Sequence, residues 1–192
     1  MCIRDSFVFP TEVTADPDGK TLWVADYGRR NRIMEFRRDG TFIREWGPDI
    51  FTTADLDRPM AVVLAPDGAT MFVADAGNSR VNVYDRAGNQ VRTFGTPGIG
   101  AGQMKYPLDL ALAPDGTLYV VEYGNSRLSR YTMQGEYLGS WGRAGFRQGE
   151  FYTPWGCAVG PDGTLVIADT NNQRLQLLAN PAPHFKPVAA KP

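Results

Sequence analysis

The tripeptide Pro-Asp-Gly occurs four times, as Pro17-Asp18-Gly19, Pro66-Asp67-Gly68, Pro114-Asp115-Gly116 and Pro161-Asp162-Gly163, with the aspartates 49, 48 and 47 residues apart. A period between about 20 and 50 residues constrains a chain more than any local propensity does. It means that one supersecondary unit is built repeatedly and buries its apolar face against its neighbours.

The rest of each repeat follows the same register. A short strand starts after Pro10, Pro59, Pro107 or Pro154 and carries a matching position at Val13, Val62, Leu110 and Cys157. The Asp-Gly turn then reverses the chain, because glycine accepts positive φ and aspartate caps its own turn. A second strand ends at Asp26, Asp75, Glu122 or Asp169 and is apolar almost throughout, the pattern of a strand covered on both faces. A loop closes at Arg32, Arg80, Arg127 or Arg174 and opens a third strand. A second turn at Asp39-Gly40, Ala87-Gly88 or Gln134-Gly135 leads to a fourth strand ending in Trp46-Gly47, Phe94-Gly95 or Trp141-Gly142. Strands this short, bounded by Gly, Pro and Asp, leave no room for a helical period. The expected fold is all-β, a β-propeller of four-stranded antiparallel blades.

Composition excludes several classes. With 43% hydrophobic and 21% charged residues the chain of 192 is a folding sequence, and its net charge of −1 gives no general pull toward nucleic acid. No run approaches the roughly 20 apolar residues of a membrane-spanning helix. Two cysteines make no disulfide framework, and Cys2 lies in an opening segment, Met1 to Ser6, that matches nothing later. That start reads as cut, which leaves room for an export signal upstream and an exported or periplasmic location.

Val73-Ala74-Asp75 followed by Asn78-Ser79-Arg80, and Ile167-Ala168-Asp169 followed by Asn172-Gln173-Arg174, resemble the NHL-repeat family, whose units carry an apolar strand, a Pro-Asp-Gly turn, a Val-Ala-Asp strand end and an Asn-x-Arg loop. The resemblance covers residues 10 to 178; Glu122 replaces the aspartate in the third repeat, and Arg30-Asn31-Arg32 follows a one-residue insertion in the first. It implies a propeller, usually of six blades, with RNA-binding, protein-binding and enzymatic members. The expected organisation is a non-repeat start over 1–9, blades over 10–58, 59–106, 107–153 and 154–178, and a proline-rich tail over 179–192 containing Pro181, Pro183 and Pro187. The fourth repeat lacks an outer strand after Leu178. The expectation is therefore part of a larger ring, with missing blades or self-association covering the end blades.

The chemistry on offer is narrow. The pairs Asp26 with Arg32, Asp75 with Arg80, Glu122 with Arg127 and Asp169 with Arg174 recur in every repeat, so they read as structural clamps. His184 is the only histidine and sits among prolines beyond the last strand, so a catalytic triad or a multi-histidine zinc site within the blades is excluded. The amidating lyases of this propeller type use metal-binding histidines, which the blades lack. Cys157 stands where other repeats carry Val13, Val62 and Leu110, and reads as a buried, inert thiol. Glu12 and Asp109, two residues past a strand-one proline, are the one opening for an oxygen-ligand cation; calcium in the channel is what the lactonases of similar fold would suggest. Gly98 to Gly102 is an interblade loop with its counterpart at Gly142 to Gly149, not a phosphate loop.

Subtracting the repeat leaves Tyr27, Arg29, Arg30, Tyr106, Tyr123 and Trp155 on loops of one face, residue types that dominate binding hot spots. The expectation is a non-catalytic recognition scaffold for a protein, peptide or small ligand. The alternative is a metal-dependent hydrolase or lyase complete only in a full ring.

Overall fold

The computed structural model describes residues 7–47 and 56–186. The opening segment with Cys2, and Pro187 of the tail, lie outside the described residues. The chain divides into two compact units, Met1–Thr93 and Phe94–Pro192.

The first unit holds two antiparallel sheets. One runs β1 (Phe9–Ala15), β2 (Thr21–Tyr27), β3 (Arg32–Arg37) and β4 (Phe42–Trp46); the other runs β5 (Pro59–Leu64), β6 (Thr70–Asp75), β7 (Arg80–Asp85) and β8 (Gln90–Phe94). The second unit has a short parallel pair, β9 (Thr96–Pro97) with β10 (Gln103–Met104), then the sheet β11 (Pro107–Leu112), β12 (Thr117–Glu122), β13 (Arg127–Thr132), β14 (Tyr137–Trp141). It ends with three strands, β15 (Gly156–Val159), β16 (Leu165–Asp169) and β17 (Arg174–Leu178). The fold is all-β, made of four antiparallel propeller blades, and no α-helix occurs among the described residues.

The first three blades open in the same irregular way. The ladder slips by one residue between Pro10 and Glu12, between Pro59 and Ala61, and between Pro107 and Asp109, because proline cannot donate to a ladder and starts the strand at a bulge. The residue before the later prolines, Arg58, Tyr106 or Thr153, has φ of 52°, 48° or 51°, a left-handed conformation that costs about 1 kcal/mol or more and has to be held by its neighbours.

Within each unit the blades stack through one set of positions. Trp23, Ala25 and Ile33 form the forward face of the first blade and meet Val62, Met71, Val73 and Tyr84 on the rear face of the second, with Leu56 from the connection between them. In the second unit Tyr119, Val121 and Leu128 meet Leu165 and Ile167 in the same register, with Phe151 in the place of Leu56.

The tail behaves differently from a solvated proline-rich end. After Leu178 it crosses to the third blade, where Lys186 bridges Ser140 of β14 and Phe185 is buried against Tyr119 and Trp141. Gly139, at φ +148°, makes room: a Cβ there would lie 2.8 Å from the Phe185 carbonyl carbon. Cys157 also departs from expectation. It packs at the border of the apolar cluster but is half-buried.

Candidate functional site

The acid that closes the second strand is the centre of a polar knot in every blade. Asp75 is fully buried and accepts hydrogen bonds from the Asp57 amide at 2.7 Å, Arg80 Nε at 2.7 Å, Asn78 Nδ2 at 2.9 Å and Asn82 Nδ2 at 2.9 Å. Asp169 repeats this with the Tyr152 amide, Arg174 and Asn172 at 2.8 Å and Gln176 at 2.9 Å. Glu122, one methylene longer, takes Arg127 Nε at 3.0 Å, the Lys105 amide at 3.3 Å, Asn125 and Ser129. Asp26 takes Arg32 Nε and the Val8 amide at 3.0 Å and the Phe9 amide at 2.8 Å. In each case the amide belongs to the segment entering the first strand, so one carboxylate ties that entry to the hairpin loop of its own blade. The polar partners Asn82, Ser129 and Gln176 were not singled out in sequence, although a polar residue at the same register of three of the third strands is a readable signal; the first blade carries Met34 there.

In the third and fourth blades the free end of the arginine then holds the connection between blades. Arg127 donates to the carbonyls of Ile99 at 2.8 Å, Gly100 at 3.2 Å and Gln103 at 2.7 Å. Arg174 does the same for Phe146 at 2.9 Å, Arg147 at 2.6 Å and Glu150 at 2.9 Å. In the first blade Arg32 instead reaches Glu45 at 2.6 Å. A guanidinium fork can serve a carboxylate and several carbonyls at once, which a lysine cannot.

Glu12 and Asp109 also act between blades. Glu12 Oε2 accepts the Val62 amide at 2.8 Å, and Asp109 Oδ2 accepts the Cys157 amide at 2.6 Å while its Oδ1 accepts the Leu110 amide at 2.8 Å. The receiving blades carry Ala61 and Gly156 at the acid's own register; at Gly156 a Cβ would stand 3.3 Å from Asp109 Oδ2. Burial raises the Asp109 carboxyl above 3.8, against which the two amides pull it down. These oxygens satisfy backbone donors, and among the described residues no group of three His, Cys, Asp or Glu comes together to hold a metal. The donor set therefore does not fit a calcium ion or a zinc site. His184 lies against the Trp141 ring, 6.1 Å between centroids.

The candidate binding residues fall into both units. In the first, Tyr27 stacks on Phe9 at 5.3 Å, Arg30 pairs with Glu45 at 3.1 Å, and Arg29 projects from the same loop. Arg29 and Arg30 border a cleft of about 770 Å³ floored by Phe7, Val8, Met34 and Phe42. In the second unit, Tyr123 and Trp155 meet edge to face at 6.4 Å and 83°, and both are exposed. Tyr106, also exposed, accepts the Tyr123 amide on its carbonyl at 3.1 Å. Phe146 and Tyr152 form a further exposed aromatic pair at 5.6 Å that the sequence did not single out.

The comparisons with known proteins agree with this architecture. The family model for the NHL repeat matches residues 151–176. Peptidyl-glycine alpha-amidating monooxygenase A of Xenopus laevis is 33% identical over 96 residues, 46% of this chain and 10% of that protein, and the Mus musculus enzyme is 27% identical over 85 residues, 42% of this chain and 9% of that protein. The chain thus spans about a tenth of the curated relatives it matches. Among solved structures, a chain of a nidogen–laminin complex superposes with a TM-score of 0.71 at 18% identity, over 92% of this chain and 61% of that one. Streptogramin B lyase gives 0.70 at 15% identity, over 97% and 57%. Identities this low establish the blade fold, not an activity.

Proposed function

Taking the chain as an NHL-repeat β-propeller protein, we propose that it is a non-catalytic recognition scaffold that binds a protein, peptide or small ligand through loops at one end of its blades. The observation that carries this reading is the exposed Tyr123 and Trp155 pair, with Tyr106 beside it, set on loops whose backbones are fixed by the carboxylate knots. Rigid loops bind without a large ordering cost, and Tyr and Trp bury much area with few rotamers to freeze. Arg29 and Arg30 on the first unit supply donors over an apolar floor. The nidogen–laminin neighbour is a blade fold found in a protein complex, which favours the same class of function.

The rival reading is a propeller enzyme, favoured by the names of the amidating monooxygenases and streptogramin B lyase. Panning a displayed peptide library against the immobilised chain, in parallel with metal analysis of the purified protein, separates the two. Recognition predicts enriched peptides that Tyr123→Ala with Trp155→Ala loses while folding is retained. Stoichiometric calcium or zinc without any enriched peptide would reverse the assignment.

A further inference from the structure

The loop end of the second unit carries two exposed aromatic pairs, and one strand end ties them into a single surface. Tyr123 meets Trp155 edge to face, and Phe146, 73% exposed, meets Tyr152. Trp155 donates its amide to the Ala168 carbonyl at 3.1 Å, and the Tyr152 carbonyl accepts the Asn171 amide at 3.2 Å, so both pairs border the close of β16. This surface lies at strand ends, not on a blade face. The charges around it are uneven. Glu122 and Asp169 are fully buried in their knots, and Glu150 accepts Arg143 Nη2 at 2.8 Å and the Arg147 amide at 3.1 Å. The ion pairs of these loops are Arg127 with Glu122, Arg143 with Glu150 and Arg174 with Asp169; the exposed Lys105 and Arg147 stand outside them. The Lys105 stem crosses Gly124, beside Tyr123, where a Cβ would lie 2.5 Å from its Cγ. Arg147 follows Phe146, and its carbonyl is pinned by Arg174 at 2.6 Å.

Building on the recognition role of these loops, we propose that the partner is an acidic peptide segment, whose apolar side chains pack on the two aromatic pairs while its carboxylates meet Lys105 and Arg147. Charge complementarity selects this partner, since a basic segment would find no carboxylate in these loops that is not already bonded. A nucleic-acid strand would stack on the same rings, but two cations neutralise too few phosphates to hold it against salt.

The test is selection from a random displayed peptide library on the immobilised wild-type chain, with the double variant Lys105→Glu, Arg147→Glu beside it. The wild type should enrich peptides in which Asp and Glu accompany aromatic or aliphatic residues, and the variant should not. A synthetic peptide of the enriched sequence should bind the variant roughly tenfold more weakly than wild type, a difference that shrinks in high salt. Both side chains are exposed, so the urea midpoint should hold; Lys105→Gln with Arg147→Gln repeats the comparison without reversing charge. Enriched peptides without an excess of acids, or an affinity unchanged in the folded variant, overturn the acidic partner and leave recognition standing. No enriched peptide at all overturns recognition itself, and the acidic partner with it. Poly-uridylate that binds the wild type and displaces the selected peptide assigns the surface to single-stranded nucleic acid instead.

Discussion

Asp169 and Asp109 are both pushed upward by burial and end on opposite sides of the ordinary aspartate value of 3.8. For Asp169 the burial effect is outweighed by hydrogen bonds from Asn172, the Tyr152 amide, Arg174 and Gln176, and its carboxyl is held below 3.8. Asp109 has only the Cys157 and Leu110 amides and no cation, so burial prevails and its carboxyl is raised. The two therefore couple to stability with opposite sign. Asp169 contributes stability that is present above 3.8 and is lost as pH falls through its lowered value. Asp109 contributes stability that is full below 3.8 and weakens as pH rises through its raised value. Urea unfolding between about pH 3 and 7 should show Asp169→Asn losing most relative to wild type at neutral pH, and Asp109→Asn losing most in acid. Parallel profiles for the two variants would contradict this assignment. The acid and arginine spacing of Asp169 was readable in the repeat. The partner of Asp109 was not, because it is a backbone amide of the next blade, 48 residues away, and a backbone donor carries no residue type to read.

At the scale of elements, the connections that enter the third and fourth blades each give three carbonyls to one guanidinium, Arg127 or Arg174. Arg127 gathers three carbonyls of the segment between Gly98 and Met104, besides its bond to Glu122. Arg127→Lys keeps the charge and loses the fork, so it should cost roughly 2 to 4 kcal/mol and speed proteolytic nicking near Gly100, which is checked by urea unfolding and limited trypsin or subtilisin digestion. The tail is the second element-scale dependence. Phe185→Ala removes a buried ring from between the third and fourth blades and should cost about 3 kcal/mol in thermal or urea unfolding. An unchanged midpoint would mean that the tail leaves its seat in solution. The sequence disguised this element. Proline spacing after Leu178 ended the strand pattern correctly, but the position of Phe185 depends on the empty volume above Gly139, which only the packed sheet creates.

On the scale of the molecule, the repeat made the blades legible because each level agreed: the turn residues, the two-sided apolar strands and the recurrent acid and arginine all point to the same four sheets. What repetition cannot reveal is what differs for a purpose, and the candidate binding surface consists of such differences. Trp155 stands where the other blades have Thr11, Met60 and Leu108, and Tyr123 stands where they have Tyr27, Ala76 and Thr170. If these side chains serve a partner and not the fold, removing them should hardly change stability. Both are exposed and outside the apolar clusters, so the double variant Tyr123→Ala, Trp155→Ala should shift unfolding by no more than about 0.5 kcal/mol. A variant of the knot such as Asp75→Ala, which takes the buried carboxylate from half-buried Arg80, the Asn78 and Asn82 side-chain amides and the Asp57 amide, should lose roughly 3 to 5 kcal/mol. Tryptophan emission gives an independent check of the same exposure. Of the four tryptophans, Trp23 is fully buried and Trp46 and Trp141 are partly covered, whereas Trp155 is 55% exposed. Most acrylamide-quenchable emission should therefore disappear in Trp155→Phe. If quenching persists there, or if the double alanine variant unfolds as easily as Asp75→Ala, the aromatic pair holds the blade together and is not the surface a partner meets.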